Sequence, residues 1–193
     1  MRLAIVDLGY GNIGSVGMAF ERLGLIPEVT GEAERIGSAD RVVLPGVGHA
    51  GFAMRAIAAR GMAELLRGLS QPLLGICLGM QLLFDESEEE ATPGLGLIPG
   101  KVRRLVAAPG RPVPHMGWSR LSVRDTTIGL SDGDQLYFAH SFACPDGPAT
   151  LATADHGGPI PAVVRSGNRT GVQFHPERSS VAGRKFLEAW LSQ

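Results

Sequence analysis

The sequence predicts an α/β fold: an open, mostly parallel but mixed sheet with helices on both faces. Two observations carry that expectation. In the first half, short apolar runs (Leu3–Val6, Arg41–Leu44, Leu73–Ile76) alternate with glycine-bearing turns and helix-length segments. Such alternation builds parallel strands joined by crossover helices. From about Gly94 the helical segments give way to short strand-like runs separated by turn residues. These read as antiparallel strands and hairpins that extend the sheet.

Taken in order, Leu3–Val6 reads as a buried strand ending at Asp7. Gly9-Tyr-Gly-Asn-Ile-Gly14 is a loop, and a helix follows near Ser15–Leu23. Pro27–Thr30 is a second strand, and Arg41–Leu44 a third, stopped by Pro45. One helix is expected near Gly51–Leu69, then the Leu73–Ile76 strand, a sharp turn at Cys77 and a helix-like stretch, Met80–Phe84. Leu95–Ile98, Lys101–Val106, Trp118–Val123, Gln135–Ala139, Ala162–Val164 and Thr170–Phe174 are the later strands, and a helix near Ser180–Leu191 closes the chain. No repeat, low-complexity tract or dividing linker interrupts it, so residues 1–193 read as a single domain.

Composition narrows the function classes. At 193 residues, 44% hydrophobic and 19% charged, the chain is long enough for a full core. A net charge of −1 gives no global attraction to nucleic acid or to a charged membrane. Two cysteines, Cys77 and Cys144, are too few for a disulfide framework and suit a reducing compartment. The N-terminus lacks the long apolar stretch and small-residue cleavage site of a signal peptide. No apolar run approaches the roughly 18 residues of a membrane span. A cytoplasmic setting is the expectation.

The chemistry centres on Gly75-Ile-Cys77-Leu-Gly79. A nucleophile between two glycines at a strand-to-helix turn is the nucleophile-elbow pattern. Glycine on each side lets other backbone come close, and a following helix N-terminus favours a thiolate. A buried free cysteine is more often inert packing; the flanking glycines turn this one toward catalysis. A thiolate needs a base, and the base an orienting group. Gln173-Phe-His175-Pro-Glu177 offers His175 at a strand end and Glu177 beyond Pro176, provided the proline turns the chain back. Cys77, His175 and Glu177 would then form a Cys-His-Glu triad. Leu44-Pro-Gly46-Val-Gly48 follows a neighbouring strand, and Gly46 and Gly48 would let its N–H groups face a substrate carbonyl. The Leu78 N–H is the second expected oxyanion donor.

Other features have plainer readings. Gly9-Tyr-Gly11-Asn-Ile-Gly14 matches G-x-G-x-x-G after a strand, with Glu28, Glu32 and Glu34 near the spacing of a ribose-binding acid, so a dinucleotide module is the rival from another class. The glycines are equally served by a tight turn. Asp85–Glu90 reads as a solvated helix end or loop, with no histidine or cysteine near to make a metal site. His49 lies near the expected pocket, His156 reads as surface, and Cys144 as inert.

Gly-Ile-Cys-Leu-Gly-Met-Gln (75–81) and Gly-Val-Gln-Phe-His-Pro-Glu (171–177) resemble the class I, triad-type glutamine amidotransferases. Leu-Pro-Gly-Val-Gly-His (44–49), Pro-His-Met-Gly-Trp (114–118) and Tyr-Phe-Ala-His-Ser (137–141) are more selective. Within that family they resemble the glutaminase subunits of imidazole glycerol phosphate synthases rather than those of anthranilate, guanylate or pyridoxal phosphate synthesis. Gln81 and the His-Pro-Glu spacing argue against a thiol peptidase on a similar sheet. The resemblance implies glutamine as substrate, a Cys77 thioester, His175 as base and Glu177 as its orienting group. It implies Val47 and Leu78 as oxyanion donors, and Gly46, Gly48, Gln81, Ser141 and Phe142 as the substrate pocket. It implies no cofactor or metal. The expected partner is a (β/α)8-barrel cyclase subunit that receives the ammonia in a heterodimer, met through Asn12, Met116, Trp118, Tyr137 and Arg178. Gly117, with Pro114 before it, suggests an exposed loop for Met116 and Trp118. Ser119, where the family usually has Asn, Phe142, where it often has Tyr, and Arg178, where Lys is common, depart from its pattern. None touches the triad.

Overall fold

Period-two alternation of apolar side chains divides the core into two layers, one on each face of a sheet. Strand β1 (Leu3–Val6) sends Leu3 and Ile5 into one cluster and Ala4 and Val6 into the other. Val43 and Leu74 join the first cluster; Val42, Leu44 and Leu73 join the second. A strand buried on both faces reads as a continuous apolar run, because helices cover both sides. The computed structural model describes residues 1–9 and 11–193; Tyr10, in the Gly-Tyr-Gly-Asn-Ile-Gly motif, lies outside the described residues.

After β1 come α1 (Ile13–Glu21), β2 (Glu28–Thr30), α2 (Ala33–Gly37), β3 (Arg41–Gly46), α3 (Ala50–Ala59), α4 (Met62–Gly68), β4 (Leu73–Cys77) and α5 (Leu78–Gln81). The second half holds β5 (Phe84–Ser87), β6 (Thr92–Pro93), β7 (Ile98–Arg104), β8 (His115–Val123), β9 (Gln135–His140), β10 (Phe142–Ala143), β11 (Thr150–Asp155), β12 (Pro159–Ser166), β13 (Arg169–Val172) and α6 (Ser180–Leu191). Among the described residues, nine strands form one sheet in the order β2-β1-β3-β4-β13-β12-β11-β8-β9. Its first five strands are parallel and the remainder antiparallel. The expected mixed α/β sheet is therefore present.

Several elements differ from the sequence reading. Strand β3 passes through Pro45 to Gly46. Its pairing with β1 ends at Val43, so Pro45 lies past that ladder and faces only Ile76 of β4, where a missing N–H is tolerated. The single helix expected over 51–69 is two, divided at Gly61, which adopts the left-handed conformation at φ +64°. Helix α2 was not anticipated. The helix-like run from Met80 is the single turn α5, and Phe84–Ser87 is instead a strand, because β7 pairs with it. Strand β7 does not extend the main sheet. It lies in a second sheet, β10-β7-β5-β6, parallel to β5. Strand β11 was missed. Asp85–Glu90, expected as a solvated helix end or loop, is largely exposed, but it runs from β5 into a turn and its acids are engaged: Asp85 accepts the Gly100 N–H, Glu88 pairs with Arg103, and Glu89 accepts the Ala50 N–H.

Strands β3, β4 and β13 are parallel neighbours in register, with Gly46 opposite Cys77 and Val172 opposite Ile76. Their carboxyl ends, and the loops after them, open on one edge of the sheet, where ligands bind in open α/β folds. Helix α6 fixes the chain just past β13. It buries Phe186, Leu187 and Trp190 against the sheet, and the Phe186 ring meets Phe174 edge-on at 5.5 Å. Removing such a ring costs about 3–5 kcal/mol, so the segment bearing His175 is firmly seated. Among the described residues no helix is long and apolar enough to cross a membrane.

Candidate active site

Cys77 ends β4 with φ 54° and ψ −109°, a conformation that costs a non-glycine residue about 1–3 kcal/mol. Its surroundings enforce it. Gly79 lies so close to the Leu44 carbonyl of β3, and Gly75 to the Gly79 carbonyl, that a Cβ on either would collide with backbone. The glycine pair thus allows the elbow to fold against β3. Helix α5 is one turn, so a long helix dipole does not assist the sulfur; the charged neighbour is His175.

Pro176 opens a short 3-10 turn, Pro176–Arg178, with His175 as its N-cap. The turn brings Glu177 back so that its Oε1 lies 2.8 Å from His175 Nδ1. Glu177 is 1% exposed at its side chain, and its Oε2 is buried without a partner. Burial by itself would lower the His175 pKa. Hydrogen bonds to Cys77 and Glu177, and the negative charge on both, outweigh it and raise the pKa to about 10. With Nδ1–H given to Glu177, Nε2 is left for the thiol. The His175 backbone is also clamped: its N–H donates to the Tyr137 carbonyl at 2.9 Å, and its carbonyl accepts from Ser179 Oγ at 2.6 Å. Ser179 Oγ in turn accepts the Tyr137 N–H at 3.0 Å.

An open cleft of about 920 Å³ runs past these groups. Of the residues expected at the substrate, Val47, Gly48, Leu78, Gln81, Ser141 and Phe142 line it. Gly46 does not; it packs against Leu78 and Gly79, where a side chain would not fit, so its part is to let the elbow close. Gln81 is buried, and its Nε2 donates to the Phe142 carbonyl and to Gln173 Oε1, each at 2.9 Å. Both donor hydrogens are therefore spent, and Gln81 has its carbonyl oxygen to offer a ligand. The contact to Phe142 runs through backbone, so the side chain that departs from the family pattern is not what makes it.

Asn12, Met116 and Arg178 also line the cleft. Trp118 and Tyr137 lie outside it, opposite each other in register on β8 and β9, with rings 6.1 Å apart. The Arg178 guanidinium sits 4.3 Å over the Tyr137 ring. Met116 and Trp118 are 64% and 52% exposed, as expected, but they project from a strand rather than a loop. Ser119 hydrogen-bonds the His115 ring. His156, read as surface, is half-buried and stacks on His115 at 4.1 Å. Cys144 is buried, and burial pushes its pKa well up.

Sequence reasoning missed four residues here. Glu89 and Arg104 line the cleft with opposite charges, which suits the two charged ends of a free amino acid. Gln173 points its Nε2 at Cys77 Sγ, 3.7 Å away, and Ser179 clamps His175. Only Gln173 had a signal, its place in the motif before His175. Among the described residues no cluster of three or more His, Cys, Asp or Glu is arranged to hold a metal. Of Glu28, Glu32 and Glu34, the acids near a ribose-binding spacing, Glu28 and Glu32 are both paired with Arg35.

The glutamine amidotransferase class-I family profile matches residues 6–192. The chain belongs to the class-I glutamine amidotransferases. Its similarity to curated relatives within that family is high: it is 48% identical over 192 residues to imidazole glycerol phosphate synthase subunit HisH of Xylella fastidiosa, covering 98% of this chain and 96% of that one. The same identity and coverage hold for HisH of Xanthomonas campestris pv. campestris. A crystal structure of a glutamine amidotransferase, 23% identical, superposes with a TM-score of 0.77 over 98% of this chain and 99% of that one, which supports the fold. In this amidotransferase the elbow, the imidazole and the buried carboxylate meet at one cleft.

Proposed function

We infer that this chain is the glutaminase subunit of an imidazole glycerol phosphate synthase in histidine biosynthesis, with residues 1–193 acting as one domain. The pathway reading rests on the near full-length similarity to HisH subunits. The chemistry rests on one observation, the imidazole of His175 held between Cys77 and a buried Glu177.

Cys77, its proton taken by His175, attacks the side-chain amide carbon of glutamine. The N–H groups of Val47 and Leu78 receive the developing oxyanion; losing one such donor typically costs about 10²–10³ in rate. His175 returns the proton to the leaving nitrogen, and ammonia departs from the thioester. Water, deprotonated by His175, then cleaves the thioester to glutamate and restores Cys77. Glu177 holds the His175 tautomer and balances its charge. Glu89, Arg104 and the Gln81 oxygen hold the amino-acid end of glutamine.

Ammonia freed into bulk water is lost to the synthase. The cleft that holds Cys77 is also lined by Asn12, Met116 and Arg178, and the exposed Trp118 ring meets that of the half-buried Tyr137. An exposed cluster of aromatic, Met and Arg side chains suits a protein interface. We place the barrel cyclase subunit there, receiving ammonia directly. Reconstitution with the cognate cyclase tests the division of labour. Cys77→Ala is expected to abolish glutamine-dependent synthesis of imidazole glycerol phosphate and to spare synthesis from added ammonia. Loss of both would refute it.

A further inference from the structure

Five side chains and one backbone carbonyl form a continuous hydrogen-bonded path from strand β8 to Cys77. Ser119 Oγ lies 2.8 Å from His115 Nε2, His115 Nδ1 lies 2.9 Å from His140 Nε2, and His140 Nδ1 lies 2.8 Å from the Phe142 carbonyl oxygen. That oxygen also receives Gln81 Nε2, which bridges to Gln173 Oε1, and Gln173 Nε2 faces Cys77 Sγ.

The direction of every bond in the histidine segment is fixed. A carbonyl only accepts, so His140 Nδ1 carries hydrogen. His115 and His140 are buried, and burial lowers their pKa values to about 4 and about 3, leaving both neutral near pH 7. A neutral imidazole has one N–H, so His140 Nε2 accepts from His115 Nδ1–H, and His115 Nε2 accepts from the Ser119 hydroxyl. The His115 ring is stacked between Phe138 at 4.8 Å and His156 at 4.1 Å, which holds it in plane. Two donors then fill the Phe142 oxygen, and both hydrogens of the Gln81 amide are consumed.

We propose that His115 and His140 are positioning residues of the glutaminase. Their one-way chain holds the Phe142 carbonyl, and through it the Gln81 amide, in the orientation that grips glutamine, and it ties that grip to the strand bearing Met116 and Trp118. The proposal rests on the glutaminase reading above. Its physical content is polarity. If His140 stops donating, the Phe142 carbonyl is anchored by Gln81 alone; once that carbonyl shifts, the Gln81 amide loses its fixed acceptor and can turn its donor face into the cleft. An ammonium group of the substrate then meets hydrogen where it had met oxygen.

The test is glutamine hydrolysis by the full chain with the cognate cyclase present. His140→Phe is expected to raise KM for glutamine about tenfold, the scale of one buried hydrogen bond, with kcat changed less than about threefold. His140→Gln, which keeps one donor and one acceptor, is expected to bring KM back to within about threefold of wild type. Ser119→Ala, at the half-buried end of the chain, is expected to raise KM by about twofold to fivefold. A structural role alone would lower kcat or the active fraction and leave KM where it was; that pattern overturns the proposal. Long-range ¹H–¹⁵N spectra of the ¹⁵N-histidine-labelled wild type supply a readout that does not depend on folding of a variant. Nδ1–H on both His115 and His140 at pH 7 supports the chain, and Nε2–H on either overturns it. An inactive wild type sinks the glutaminase reading and this proposal together, whereas an active wild type with an unmoved KM in His140→Phe sinks the proposal alone.

Discussion

Replacing Glu177 with glutamine keeps the length of the side chain and removes its charge. Glu177 is 1% exposed and its Oε1 is 2.8 Å from His175 Nδ1, so the bond altered is charge-assisted and shielded from water. Such bonds contribute about 1.5–3 kcal/mol, and one pKa unit corresponds to about 1.4 kcal/mol. The His175 pKa, raised to about 10 in the intact site, is therefore expected to fall by about one to two units. The glutaminase rate falls by at least about tenfold from the bond alone, and toward about 10⁴-fold where the new amide turns its N–H to the ring and inverts the tautomer. The sign of the linked stability follows. A raised histidine pKa contributes stability that is complete below the unfolded value near 6.5 and is lost as pH rises through about 10. The variant loses it at lower pH. The assay is glutamate release with partner and ligand saturating, paired with an NMR titration of the His175 ring. Wild-type kcat with an unmoved titration would remove Glu177 from the mechanism.

Other perturbations have equally definite outcomes. Gly79→Ala sets a Cβ against the Leu44 carbonyl; overpacking of this kind costs about 1–3 kcal/mol, and because it displaces the elbow, glutaminase activity is expected to fall more than about 100-fold, checked by turnover and a urea melt. His115 and His140, with pKa values lowered to about 4 and about 3, contribute stability that is complete above pH 6.5 and lost as pH falls toward those values. At pH 5 the loss is about 2 kcal/mol for each, read as a drop in the urea midpoint between pH 7.5 and pH 5 that His140→Gln reduces. Trp118→Ala removes a half-exposed ring, so the free chain is expected to melt within about 0.5 kcal/mol of wild type while the cyclase Kd rises about 30-fold, the scale of an interface anchor; titration calorimetry measures it.

What the sequence revealed was local. Gly75-Ile-Cys77-Leu-Gly79 announced the elbow because both glycines fall within five residues and Gly75 packs on the Gly79 backbone itself, although the partner that requires Gly79 is the Leu44 carbonyl of β3. Pro176 made the return of Glu177 to His175 readable, and the closing helix near Ser180–Leu191 is present as α6. What stayed hidden depends on pairing between distant segments. Lys101–Arg104 reads as one more strand of the main sheet, and only its partners, Glu86 and Ser87 on one side and Phe142 and Ala143 on the other, put it in a second sheet. Gln173 reaches Cys77 because β13 lies beside β4, and Glu89 and Arg104 share a cleft only once β7 and β10 have brought Arg104 to Phe142. The break at Gly61 was missed because its neighbours on both sides carry helix-forming residues, and one left-handed glycine decides it.

Glutamate release from glutamine by the purified chain, with and without the cognate barrel cyclase and its nucleotide ligand, tests the central claim most directly. The account predicts strong stimulation by the partner, abolished by Cys77→Ala. Glutamine hydrolysis indifferent to the partner would contradict the assignment to the synthase, and no hydrolysis under any condition would contradict the chemistry itself.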